Sequence, residues 1–192
     1  MRSTTAICIS TVLALNMINL PYASATNTIT FNGSITDATC DVSLEYKGIK
    51  VGDAGTGSIT LDEVSKTALS GVGSSAGQVP FFIVASNCTL GTPAKSKIAA
   101  NFKSIHDDNQ GNLNNIAGTN PATNVQLRLL DSARKPIKVN DPLQSSTTTF
   151  TNINSTPTDD TKMQYFVEYF SSLGSATSGA VSSDVQYELM YQ

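Results

Sequence analysis

Apolar residues recur at every second position along most of this chain, and that period of two constrains the fold more than any other feature. Successive side chains of a strand point to opposite faces, so the pattern describes half-buried strands and does not suit a helix. Cys40, Val42 and Leu44 form one such set. Val79, Phe81, Ile83 and Ala85 form a second that runs up to Cys88, with Pro80 near the strand start, where a missing N–H does least harm. Ile98, Ala100 and Phe102 follow, then Val125, Leu127 and Leu129, then Tyr165, Val167 and Tyr169. Val185, Tyr187, Leu189 and Tyr191 close the chain. Turn-rich stretches at 52–55, 109–118 and 174–179 separate these runs. Helical spacing occurs at Leu61, Val64, Ala68 and Leu69, which predicts one short helix at most over 62–70, ending at Gly71.

Many short strands broken by turns predict an all-β sandwich of the immunoglobulin type, and no shift in composition divides it, so one domain is expected. Charged residues make up 14% of the chain against a usual ~25%, and 46 Ser and Thr residues take up the difference. A net charge of −3 with scattered Lys and Arg excludes a basic nucleic-acid platform. With His106 as the sole histidine, histidine-based metal cages are excluded as well.

The N-terminus reads as an export signal. Arg2 gives a positive start, residues 6–20 form an apolar run, and Ala23-Ser24-Ala25 places small residues before a cut after Ala25. A membrane anchor would need about 18 or more apolar residues, and neither this run nor any later one supplies them, so no membrane insertion is expected. Cys8 stands at the start of the apolar run and not at its end, where a lipid-modified cysteine would sit. The exported chain keeps Cys40 and Cys88, which in an oxidising compartment predict a disulfide. Closing a loop of that length stabilises a fold by about 4 kcal/mol through lost unfolded-chain entropy. A redox or metal pair would want C-x-x-C spacing or histidine neighbours, and has neither.

Two features are unusual for a closed sandwich. Ile29, Phe31 and Ile35 alternate, with Gly33 at the remaining place, and the alternation runs through Asn32-Gly33-Ser34 without a change of phase. It describes one long strand, or a free extension leading into the first strand. At the other end, the strongest alternating run stops at Gln192, so its edge must be covered by something.

These residues resemble subunits of chaperone–usher fimbriae of the type 1 pilin kind, over essentially the whole exported chain. The resemblance rests on an alternating extension with a late Gly33, a first cysteine in Gly33-Ser34-Ile35-Thr36-Asp37-Ala38-Thr39-Cys40, and a second ending the run 79–88. It also includes Ala122-Thr123-Asn124-Val125 entering a strand, Gly179 fourteenth from the C-terminus and the penultimate Tyr191. It implies an incomplete immunoglobulin-like sandwich lacking its last strand, completed by a donor strand from another subunit. The domains would be a signal peptide (1–25), a donor-strand extension (26–35) and a pilin β-sandwich (36–192).

The implied partners are a periplasmic chaperone, an outer-membrane usher and neighbouring subunits in a linear polymer at the cell surface, serving adhesion. The implied donor residues are Ile29, Phe31, Gly33 and Ile35, with position 27 outermost; Asn27 departs from the apolar residue common there. Burying the two Ile and the Phe would contribute about 5–8 kcal/mol. Gly179, Val185, Tyr187, Leu189 and Tyr191 would border the groove read by the chaperone. Taken alone, Ile29 and Phe31 equally suit an ordinary first strand, Tyr191 a core aromatic, and Gly179 a turn glycine.

No enzyme is expected. Ser104, His106 and Asp107 are close in sequence, but a triad needs an ordered oxyanion site, and the adjoining Gly/Asn-rich loop shows no sign of one. Asp107, Asn109 and Gly111 suggest a calcium loop, yet the twelfth position is Gly118 and not Glu. No catalytic residue, metal or cofactor is expected. The alternative function is a carbohydrate-binding β-sandwich of a fimbrial tip adhesin, which would want an aromatic shelf with convergent acids and amides.

Overall fold

The computed structural model describes residues 35–192 apart from 155, 157 and 158; Ile29, Phe31 and Gly33 lie outside the described residues. The alternating runs become strands β1 (Thr39–Tyr46), β3 (Ser74–Thr89), β4 (Lys97–Lys103), β6 (Gln126–Leu130), β9 (Thr161–Ser171) and β10 (Gln186–Tyr191). Short strands β2 (Ile49–Val51), β5 (Leu113–Asn114), β7 (Pro136–Ile137) and β8 (Thr151–Asn152) join them. A large sheet has the order β2-β1-β3-β9-β6-β5 with β7 on β6, and a small sheet has the order β10-β4-β8; every ladder is antiparallel.

The inward residues of both sheets form one core that includes Ile83, Ala85, Ile98, Ala100, Phe102 and Met163. Tyr165 of β9 links the layers. Its ring packs edge-on to Phe102 at 5.1 Å, and its hydroxyl accepts from the Ala100 N–H at 2.7 Å. Burial pushes its pKa up to about 12. On the outer face Arg128 lies 4.0 Å over the Phe170 ring and donates through Nε to Glu168 at 2.8 Å, so the buried carboxylate is paired.

Cys40 and Cys88 are bonded, joining β1 to β3. The register slips between Thr39 and Asp41, Asn87 takes a φ of 49°, and its amide donates to Asp41, so a β-bulge accommodates the bridge. The predicted helix over 62–70 is shorter than its spacing suggests: a 3₁₀ turn spans Lys66–Leu69, started by Ser65, whose hydroxyl accepts from the Thr67 N–H. Leu61 and Val64 precede it and belong to a different feature.

Candidate functional site: the open edge of the small sheet

β4 lies in the middle of the small sheet, with β10 along one side and β8 covering only Lys97 and Ile98 on the other. Beyond β8, side chains replace a strand. Gln144, buried at the start of α1 (Gln144–Thr147), accepts from the Phe102 N–H and donates to the Phe102 carbonyl, both at 2.8 Å. Tyr165 takes the Ala100 N–H, and Asn140 takes the Ser104 N–H and donates to its carbonyl. That side of the sheet is sealed.

The β10 side is different. Lys97 and Gln192 exchange two main-chain hydrogen bonds, at 2.9 and 3.0 Å. Bonded and non-bonded pairs alternate in an antiparallel ladder. The N–H and C=O groups of Tyr187, Leu189 and Tyr191 therefore point away from β4, and no strand among the described residues pairs with that edge. The same three residues face the core, opposite Phe102, Ala100 and Ile98. Their partners on β4 are at most 1% exposed, whereas the three β10 side chains are only half-buried. Among the described residues, no further layer covers them.

The opposite rim is the stretch 58–64, where half-buried Ile59, Leu61 and Val64 stand among exposed neighbours and pack on the core. The Tyr46 hydroxyl donates to Thr60 O and ties this stretch down. Between the rims, the 53–56 turn approaches β10: the Tyr187 hydroxyl donates to Gly55 O at 3.0 Å. A Cβ on Gly55 would lie 2.4 Å from that hydroxyl and 2.7 Å from Val42, so a side chain there would force the rims apart. Tyr191 lies against the Cys40 main chain, and burial outweighs that contact in raising its pKa. Burial raises that of Tyr187 too.

At the far end the groove opens into a cavity of about 380 Å³ floored by Val64, Leu69, Ala122, Val125 and Val181, with Glu63 and Lys66 on its rim. Gly179 closes this end, not the β10 edge. Its φ is 153°, and a Cβ would come 2.5 Å from Ala122 N, because 180 pairs with 120–122 through two main-chain bonds. Val185 immediately precedes β10, half-buried in the same phase as Tyr187. The sequence missed the 58–64 rim, because its apolar spacing fits a helix until Ser65 is seen to start one.

The other candidates are accounted for locally. Ser104 Oγ donates to Asp184 O, His106 Nε2 stands 3.6 Å from Asp184, and Asp107 accepts from Asn140 and Asn109, so no triad assembles. Asp108, the loop's other acid, is taken up by Gln110 N–H and by Asn112 through its N–H and side-chain amide.

The pattern of the family described as Fimbrial protein matches residues 29–192. The chain is 36% identical over 173 residues to the major fimbrial subunit SMF-1 of Stenotrophomonas maltophilia, covering 88% of this chain and 94% of that one. It is 33% identical to the F17 fimbrial protein of Escherichia coli, covering 85% and 86%. The chain belongs to the fimbrial protein family. Its fold is similar to a solved subunit of a chaperone–usher pilus at a TM-score of 0.55 and 19% identity, over 88% of this chain and 97% of that one. The protein is thus a structural subunit of a surface fimbria with an immunoglobulin-like fold, exported to the cell exterior.

Proposed function

We propose that the fibre grows by strand addition at the β10 edge, with residues 26–35 of one subunit laid into the groove of the next. The observation that carries this reading is the contrast within the small sheet: one side sealed by Gln144, Tyr165 and Asn140, the other presenting aligned main-chain groups and half-buried side chains. Main-chain hydrogen bonds would supply affinity and alternate side chains would fill the groove. Ile29, Phe31 and Ile35 are the filling residues, and Gly33 lies where two backbones approach closely. Two facts support this assignment. Ile35 is fully exposed on its own subunit, and the family pattern begins at Ile29, so Ile29, Phe31, Gly33 and Ile35 lie within it.

Before assembly the same edge must be covered, and a periplasmic chaperone offering a strand to Tyr187, Leu189 and Tyr191 fits that need, with an outer-membrane usher as the place of exchange. Among the described residues, no aromatic shelf with convergent acids and amides supports a sugar-binding adhesin.

Gly33→Leu tests the reading on fimbriated cells. The variant subunit is expected to fold and accumulate in the periplasm while surface fibres are lost, as seen by electron microscopy and by the polymer ladder on gels. Fibres at the wild-type level would refute strand donation.

A further inference from the structure

A strand passed from one subunit to the next also constrains how the two subunit bodies sit together, and the contact between those bodies rests on the strand-donation reading. The molecule has two poles, separated by the 16-residue β3, which spans about 50 Å. One pole holds the groove-end cavity, the 3₁₀ turn and the end of β9. Its loops are joined by Ser175 N–H to Ser70 O, Ala176 N–H to Leu69 O and Thr177 N–H to Thr123 O. The other pole holds the turn after β3, the start of β1 and the C-terminus, where Gln192 meets Ser96 and Lys97. Residues 36–38 are built into that second pole. The Thr92 N–H donates to Asp37 Oδ1 at 3.2 Å, and a Cβ on Gly91 would lie 2.7 Å from the same oxygen and 2.8 Å from Thr36 Oγ1.

The direction of the donor follows from polarity. The alternate set has an apolar end at Ile35 and a polar end at Asn27. The cavity floor of Val64, Leu69, Ala122 and Val125 suits Ile35, whereas an Asn amide there would lose its hydrogen bonds to water without replacement. Ile35 therefore belongs at the Val181 end, which makes the donor antiparallel to β10. Asp37, two residues along, then lies within about 7 Å of Ile35. Lys66 stands on the rim of that cavity. Asp37 and Lys66 are both exposed, and neither has an ion-pair partner among the described residues.

We propose that consecutive subunits meet pole to pole, with Asp37 of one copy paired to Lys66 of the next. The second pole of one body and the cavity pole of the next form a head-to-tail contact, the kind that generates a filament when it does not close into a ring. An exposed ion pair adds little affinity, so its effect is to set the angle between bodies already joined by the donor strand. Val72 and Leu173, on touching loops of the cavity pole and exposed to 81% and 69%, stand ready for the same contact.

Zero-length carbodiimide coupling of purified fibres, followed by peptide mass spectrometry, tests the contact. The expected product is a peptide containing Asp37 joined through an amide to a peptide containing Lys66, present in fibres and absent from unpolymerised subunit. Lys66→Gln should still form fibres and lose that product. Fibres that couple elsewhere without this product, or the same product in unpolymerised subunit, would overturn the proposal while leaving strand donation intact. Normal fibres from Gly33→Leu would instead remove strand donation and this contact together.

Discussion

The two sides of β4 show what an unfinished sheet edge is. Both sides expose main-chain groups that must be satisfied, and both border the same core. On one side the chain supplies Gln144, Tyr165 and Asn140, whose hydrogen bonds stand in for a strand. On the other it supplies β10, whose outward main-chain groups no strand among the described residues pairs, and Tyr187, Leu189 and Tyr191 are half-covered. The sealed side fixes a single closed structure. The open side leaves an edge at which a strand of the right pattern would gain both hydrogen bonds and buried area, as the proposed strand donation between subunits requires.

Closing the open side within one chain should produce the largest effect. A variant lacking residues 1–32, with a copy of residues 26–35 attached after Gln192 through a short flexible linker, is expected to be monomeric by size-exclusion chromatography. It should gain stability of the order of 5–8 kcal/mol from the Ile and Phe burial alone. A tail of the same residues in scrambled order should give no gain; equal stabilisation by both tails would erase the difference between the two sides.

Opening the sealed side is the converse. Gln144→Leu leaves the buried Phe102 N–H without its partner, while the carbonyl keeps the Asn140 N–H, at a cost of about 1–3 kcal/mol in urea denaturation. A negligible change would mean that the amide does not do the work of a strand.

Tyr165 gives a pH test of the same seal. Its pKa is raised by burial from an ordinary 10.0 to about 12. Since the folded value lies above the unfolded one, the contribution is fully present below pH 10 and is lost as pH rises toward 12. The loss should reach about 2–3 kcal/mol. Comparing denaturation at both ends of that window, Tyr165→Phe should show a smaller alkaline drop than the wild type. An equal drop would place the titration elsewhere.

The smallest effect is expected on the open side, where Tyr187→Phe removes one hydrogen bond to Gly55 from a half-exposed hydroxyl. A loss of about 0.5–1 kcal/mol of unfolding free energy in urea denaturation is expected. A loss as large as that of Gln144→Leu would show the 53–56 turn to be as firmly sealed as the far side of β4.

The six longer strands are legible in the sequence because each alternates over enough residues to show which face is buried. β5, β7 and β8 span two residues each and carry no pattern of their own; distant partners such as Leu127 for Leu113 define them. Leu61 and Val64 read as helix because their spacing fits one, and they line the groove because Ser65 begins the 3₁₀ turn after them. The cysteine pair is legible through the export signal, whereas the bulge at Asn87 that accommodates it is not.

By itself the sequence determined which residues of this protein face inward, that Cys40 and Cys88 pair, and that an alternating segment lies at each end of the chain. The sequence pointed to the C-terminal run as an edge in need of cover; only the tertiary structure decided that the other side of the same small sheet is sealed. Alternation is local, fixed by the two-residue repeat of an extended backbone. Edge satisfaction is not: the groups that seal β4 come from Gln144 and Tyr165, 42 and 65 residues away from the N–H groups they meet, and a free edge is visible only once every such partner has been placed.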